Sequence, residues 1–118
     1  MPQPNPETLL PLSTPVLQLL LTLSERDLHG YGIIGDVAER TGGDVQLSTS
    51  TLYGAIKRMM RDSLVEESGF RADHGTDDQR RRYYRITDFG RSVLQAEAHR
   101  IERLAQMVSG KQFYPGAP

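Results

Sequence analysis

The stretch that decides the fold is Leu47 to Arg61, LSTSTLYGAIKRMMR. At about 100° per residue, Leu52, Ala55, Ile56, Met59 and Met60 gather on one side of a helix, and Ser50, Gly54, Lys57, Arg58 and Arg61 on the other. Ser48 suits the N-cap, because a serine hydroxyl accepts one of the N–H groups that the first turn leaves without a partner. Thr49, Ser50 and Thr51 add further small hydrogen-bonding groups there. One face suits a core; the other begins with hydroxyls and continues into cations. Such a helix can place its N-terminal end in a DNA major groove while its basic side runs along phosphates. An ordinary surface helix with a solvated charged face carries the same pattern, so the flanking sequence has to decide between the two.

Upstream, residues 1–13 hold four of the seven prolines. Proline lacks an N–H and has a fixed φ, so Met1 to about Pro11 reads as a loose arm. Thr14 then caps a helix with Pro15 in its first position. Val16, Leu17, Leu19, Leu20, Leu21 and Leu23 make this helix apolar nearly all round, which marks it as central, and it stops near Ser24 to Asp27. His29 to Gly32 turn into a second helix, roughly Tyr31 to Arg40, with Ile33, Ile34, Val37 and Ala38 as its apolar face and Gly42 and Gly43 at its end. A short connection, Asp44 to Leu47, leads to the deciding helix. Two helices joined by a glycine-containing turn, the second with a polar start and a basic side, form a helix-turn-helix.

Downstream the period changes. Leu64 to Ser68 is strand-like, Gly69 to Gln79 is a polar loop, and Arg80 to Thr87, RRRYYRIT, is a second strand. A hairpin after a helix-turn-helix is the wing of a winged-helix domain. Arg80, Arg81 and Arg82 at its base either meet phosphates or a minor groove, or pair with Asp73, Asp77 and Asp78 of the same loop. Thr87 caps a last helix from Asp88 to about Ser109. Leu94, Ile101, Leu104 and Val108 follow heptad spacing along it, with Glu97 interrupting one position. A helix this long exceeds what one small core covers, so the stripe is expected to pack on the Thr14 helix at one end and on a second copy of the chain at the other. Lys111 to Pro118 reads as a flexible tail.

The expected fold class is therefore mainly α with a small β-hairpin. A flexible arm (1–13) precedes a winged helix-turn-helix (14–87), a dimerisation helix (88–109) and a tail (110–118). The chain's 118 residues fit one small domain. It has no cysteine and hence no disulfide framework or thiolate metal site. No signal pattern appears at the N-terminus, and the longest apolar run, Leu19 to Leu21, cannot span a bilayer, so a cytoplasmic protein is expected. Net charge is −1, yet eight of the fourteen Lys and Arg residues lie between Lys57 and Arg85, while Glu7 to Asp44 holds six acids and two bases. Phosphate contact is local, so one basic region suffices for DNA. His29, His74 and His99 stand in no metal-ligand spacing, and no phosphate loop or nucleophile elbow appears, so neither an enzyme nor a cofactor is expected. A winged-helix module that binds another protein and no DNA is the alternative; Lys57, Arg58 and Arg61 argue against it.

With these elements in order, the chain resembles PadR-family transcriptional regulators of the short kind, which have one C-terminal helix. The resemblance runs from about Thr14 to Val108. It rests on LHGYGI at Leu28 to Ile33, STSTLYGAIKRM at Ser48 to Met59, LVEE at Leu64 to Glu67, and RRYYRITDFGR at Arg81 to Arg91. Where the family pattern often has glycine before Thr-Leu-Tyr, this chain has Ser50. The resemblance implies a dimeric DNA-binding protein, usually a repressor, on an inverted-repeat operator, with the last helix as the dimer contact. Carried over by position, Ser48, Ser50, Thr51, Tyr53 and Lys57 would face DNA, with Tyr53 and Lys57 on phosphates. Tyr31 would meet phosphate or belong to the core, and Leu52 and Ile56 would be core. The family also often responds to small molecules bound near the dimer interface. A stress signal is an equally open expectation for release.

Overall fold

The computed structural model describes residues 4–70 and 82–111. Along these residues run a 3-10 helix (Pro6–Leu9), α1 (Thr14–Glu25), β1 (Leu28–His29), α2 (Gly30–Arg40), α3 (Thr49–Arg61), β2 (Val65–Phe70), β3 (Arg82–Ile86) and α4 (Asp88–Gly110). The strands form one antiparallel sheet in the order β1-β3-β2. The chain is the expected winged helix-turn-helix with a long C-terminal helix, and the hairpin gains a third, two-residue strand.

Local chemistry explains where the helices begin and end. Ser13, not Thr14, caps α1: its extended backbone presents Oγ to the N–H of Val16 at 3.4 Å, which leaves Thr14 and Pro15 inside the first turn. The cap of α2 is His29, whose Nδ1 accepts from the N–H of Gly32 at 3.1 Å. Its ring also stands edge-on to Tyr83 of β3, with centroids 5.3 Å apart, so one side chain ties the start of α2 to the sheet. After α2, Gly42 takes φ 62°. The N–H of Gly43 then donates to the Ala38 carbonyl at 2.8 Å and that of Gly42 to the Glu39 carbonyl at 3.2 Å, a Schellman close. α3 ends in the same way, with Ser63 in the left-handed position and Leu64 N–H on the Met59 carbonyl.

α1 packs against α2, α3, α4 and β3, the central place that its all-round apolarity implied. Leu19, Leu20 and Leu23 meet Ile33 and Val37 of α2, Leu52, Ala55, Ile56 and Met59 of α3, Val65, Tyr84 and Ile86 of the sheet, and Phe89 and Val93 of α4 in one buried cluster. Each large aliphatic side chain sequestered there contributes about 1.5–3 kcal/mol. Met60, expected on this side, is exposed, because it lies at the edge of the apolar arc. At the α1–α2 crossing, Asp36 accepts from the buried Thr22 hydroxyl at 2.8 Å and from Arg40 at 3.0 Å. Burial pushes the Asp36 carboxyl up, but these donors and Arg26 outweigh it and leave it below its ordinary range.

The structure differs from the sequence reading in the arm. Pro6–Leu9 form a 3-10 helix that lies against α4, and the N–H of Leu12 donates to Glu97 of α4. Leu9, Leu10 and Leu12 pack on the core, so apolar side chains among the prolines hold this segment in place. Along α4, Phe89, Val93, Leu94 and Glu97 are buried or half-buried in their own chain, whereas every residue from Ile101 to Lys111 is exposed.

Candidate nucleic-acid interface

α3 rests on the core through Leu52, Ala55, Ile56 and Met59, all but fully buried. That anchoring fixes which residues look outward. Ser50, Gly54, Lys57 and Arg61 fall within about 60° of arc, opposite the buried side chains. Thr51 and Arg58 flank one edge, and Tyr53 the other.

At the start of α3 three hydroxyls are linked. The Ser48 hydroxyl accepts the N–H of Thr51 at 3.1 Å and donates to Thr51 Oγ1 at 2.9 Å, while Ser50 Oγ lies 3.3 Å from it. Ser48 is therefore engaged as the cap the sequence suggested, and Ser50 stands exposed beside it. Further along, Lys57 and Arg58 are exposed, with no carboxylate at ion-pair distance among the described residues. Arg61 Nε lies 3.3 Å from Asp62 Oδ1, an exposed pair of little strength. Arg58 Nη1 folds back toward Gly54, and the Arg58 side chain borders a groove shared with Leu9, Pro11 and Leu12 of the arm.

Tyr53 sits differently from its neighbours. It is half-buried and lies over the start of α2: a Cβ placed on Gly30 would fall 2.9 Å from Tyr53 Cζ and closer still to the hydroxyl oxygen. Tyr53 thus braces α3 against α2. Tyr31, for which core and phosphate readings were both open, is 47% exposed.

In the wing, Val65 pairs with Ile86, Glu66 with Arg85 and Glu67 with Tyr84; a bulge at Ser68 then shifts the register so that Gly69 pairs with Tyr83. Arg82 Nη1 lies 3.3 Å from Glu67 Oε1, and Arg85 Nε 2.8 Å from Glu66 Oε2. Arg82 therefore pairs with a carboxylate of the neighbouring strand. Both pairs are exposed, and such pairs contribute only about 0–1 kcal/mol, so they hold these arginine side chains weakly. Arg80 and Arg81, and the aspartates Asp73, Asp77 and Asp78, lie outside the described residues. Among the described residues no three His, Asp or Glu side chains gather as metal ligands, and no helix is long and apolar enough to cross a membrane.

Arg61 lies on the outward face where the sequence reading set it, whereas Glu97 has a contact that reading did not foresee. Arg61 completes the outward row of α3, as its spacing allowed. Glu97, read there as a break in an apolar stripe, is 1% exposed and joins the arm to α4.

Comparison with known proteins agrees with this fold. The model of the family described as "Transcriptional regulator PadR-like family" matches residues 19–96. An uncharacterised protein of Lysinibacillus sphaericus is 33% identical over 85 residues, which cover 70% of this chain and 71% of that protein. The structure of a transcriptional regulator from Clostridium thermocellum superposes with a TM-score of 0.69 at 24% identity, over 87% of this chain and 99% of that one. A PadR family transcription regulator from Clostridium difficile superposes with a TM-score of 0.70 at 23% identity, over 83% and 97%. Likenesses at these identities speak to the fold.

Proposed function

Because this chain belongs to the PadR-like family of transcriptional regulators, we propose that it is a sequence-specific DNA-binding regulator that acts as a dimeric repressor and is released by a small-molecule or stress signal. The observation that carries the DNA reading is the outward row of α3: hydroxyls at its N-terminal end, then Lys57, Arg58 and Arg61 exposed, on a helix whose other face is buried. Ser50 and Thr51 are disposed to read base edges in the major groove. Lys57, Arg58 and Arg61 are disposed to meet phosphates, with Arg80, Arg81 and Arg82 following along the backbone or minor groove. Ser48 positions this end as its cap, and Tyr53 holds α3 at its angle to α2.

The dimer contact in this reading is the distal half of α4. Ile101, Leu104 and Val108 are each more than 40% exposed along one helix, an apolar stripe suited to a second copy. Leu94 continues the stripe into the chain's own core. Two copies joined in this way present two α3 helices to an inverted repeat, with half-sites about one helical turn apart. A groove of about 720 Å³ between the arm and α4, bordered by Leu10, His99, Arg100 and Leu104, supports the effector reading. It adjoins the residues whose spacing a ligand would have to alter.

Selection of bound duplexes from a random pool, at about physiological salt, tests the proposal. Enrichment of an inverted repeat is the expected result. Retention without an enriched sequence would leave a nonspecific binder, and no retention would favour the protein-binding alternative.

A further inference from the structure

Gly54 occupies the interior of α3, where a glycine weakens a helix relative to alanine. At several other glycines of this chain the fold accounts for the residue. At Gly30 a Cβ would collide with Tyr53, and at Gly90 with the Leu64 carbonyl. Gly42 and Gly43 adopt positive φ after α2. None of these reasons applies at Gly54. Its φ is not positive, and an added Cβ would meet only the flexible tip of Arg58, at an ordinary 3.6 Å. The fold would accept a side chain there, so packing within the chain does not require the glycine. Gly35 in α2 is equally open, but its face carries Glu39, which repels phosphate. Gly54 instead lies in the middle of the outward row, with Ser50 one turn before it and Lys57, Arg58 and Arg61 after it.

We propose that Gly54 is the point of closest approach between the α3 backbone and DNA, a positioning residue whose missing side chain lets the helix seat deeply enough for Ser50 to reach base edges. The inference rests on the DNA-binding reading above. A methyl group at this point holds the duplex off every flanking contact at once, and its effect on affinity runs opposite to its effect on stability.

The test uses the full chain and a mixed-sequence duplex of about 30 base pairs, long enough for two half-sites, with thermal melting measured in parallel. Gly54→Ala is expected to raise the melting midpoint by about 4 °C, through helix propensity, and to weaken duplex binding about tenfold or more. Gly35→Ala, with the same propensity gain, is expected to raise the midpoint and leave duplex binding unchanged. Equal affinity of Gly54→Ala and the parent would overturn the inference, as would an equal loss in both variants. If Lys57→Ala weakens binding while Gly54→Ala does not, the DNA reading stands and the inference alone falls. If the parent chain binds no duplex, both fall.

Discussion

The backbone N–H of Leu12 donates to the carboxylate of Glu97, 2.9 Å from Oε2, across 85 residues of sequence. Arg100 donates to the same carboxylate, with Nη2 3.1 Å from Oε2. These hydrogen bonds hold the Glu97 carboxyl below its ordinary range: Arg100 contributes most, and the Leu12 N–H adds to it against the effect of burial. A carboxyl lowered in the folded state adds stability above its unfolded pKa of about 4.3 and loses it as pH falls through the lower folded value. Urea midpoints of the parent chain should therefore decline below about pH 4.3. Glu97→Gln should decline less steeply over the same range. Identical acid profiles would show that the pair contributes nothing. At neutral pH, Glu97→Ala should cost about 3 kcal/mol, the lower end for breaking a buried pair, because Arg100 can turn to solvent.

Gly90 holds the first turn of α4 against the start of β2. A Cβ there would strike the Leu64 carbonyl and lie 2.8 Å from Ile86 Cγ1. The carbonyl is held in place, since it accepts from the Thr87 N–H at 3.1 Å, so the backbone has no easy retreat. Gly90→Ala should destabilise the chain by about 1–3 kcal/mol, in the range of overpacked cores. Chemical denaturation measures it, and an unchanged midpoint would mean that the α4–β2 contact has slack.

Features set within a turn or two of sequence were legible before the structure. Ser48 and Thr87 stand where their hydroxyls cap the next helix, and Leu52, Ala55, Ile56 and Met59 repeat at helical spacing into the core. What escaped depends on distant neighbours. β1 is two residues long and exists because Leu28 and His29 pair with Tyr84 and Tyr83 of β3. The arm is held by Glu97, whose charge looked like an interruption until its partner was visible. In the candidate site, helical angle alone set Ser50, Lys57 and Arg58 on the outer side of α3. The brace of Tyr53 on Gly30 was not readable, because it follows from the path of α2.

Lys57 is exposed on the outward row, with no carboxylate at ion-pair distance among the described residues. Lys57→Ala should weaken binding to all duplexes about equally and lower the slope of log affinity against log salt by about one, the signature of one lost phosphate contact. A changed sequence preference with the same slope would instead place Lys57 on a base.

Ile101 is 42% exposed on α4, beyond the part of the helix that its own chain covers. A charge there removes no contact from the monomer core, so Ile101→Asp should leave the thermal stability of the isolated fold nearly unchanged, within about 0.5 kcal/mol. In a dimer the same charge is trapped between two apolar stripes without a partner, which costs several times more. Light scattering should report a monomer, and operator binding should vanish, because one α3 helix reaches only one half-site. A variant that remains dimeric would move the interface away from this stripe. A variant that becomes monomeric but binds the operator undiminished would remove the need for two-fold recognition.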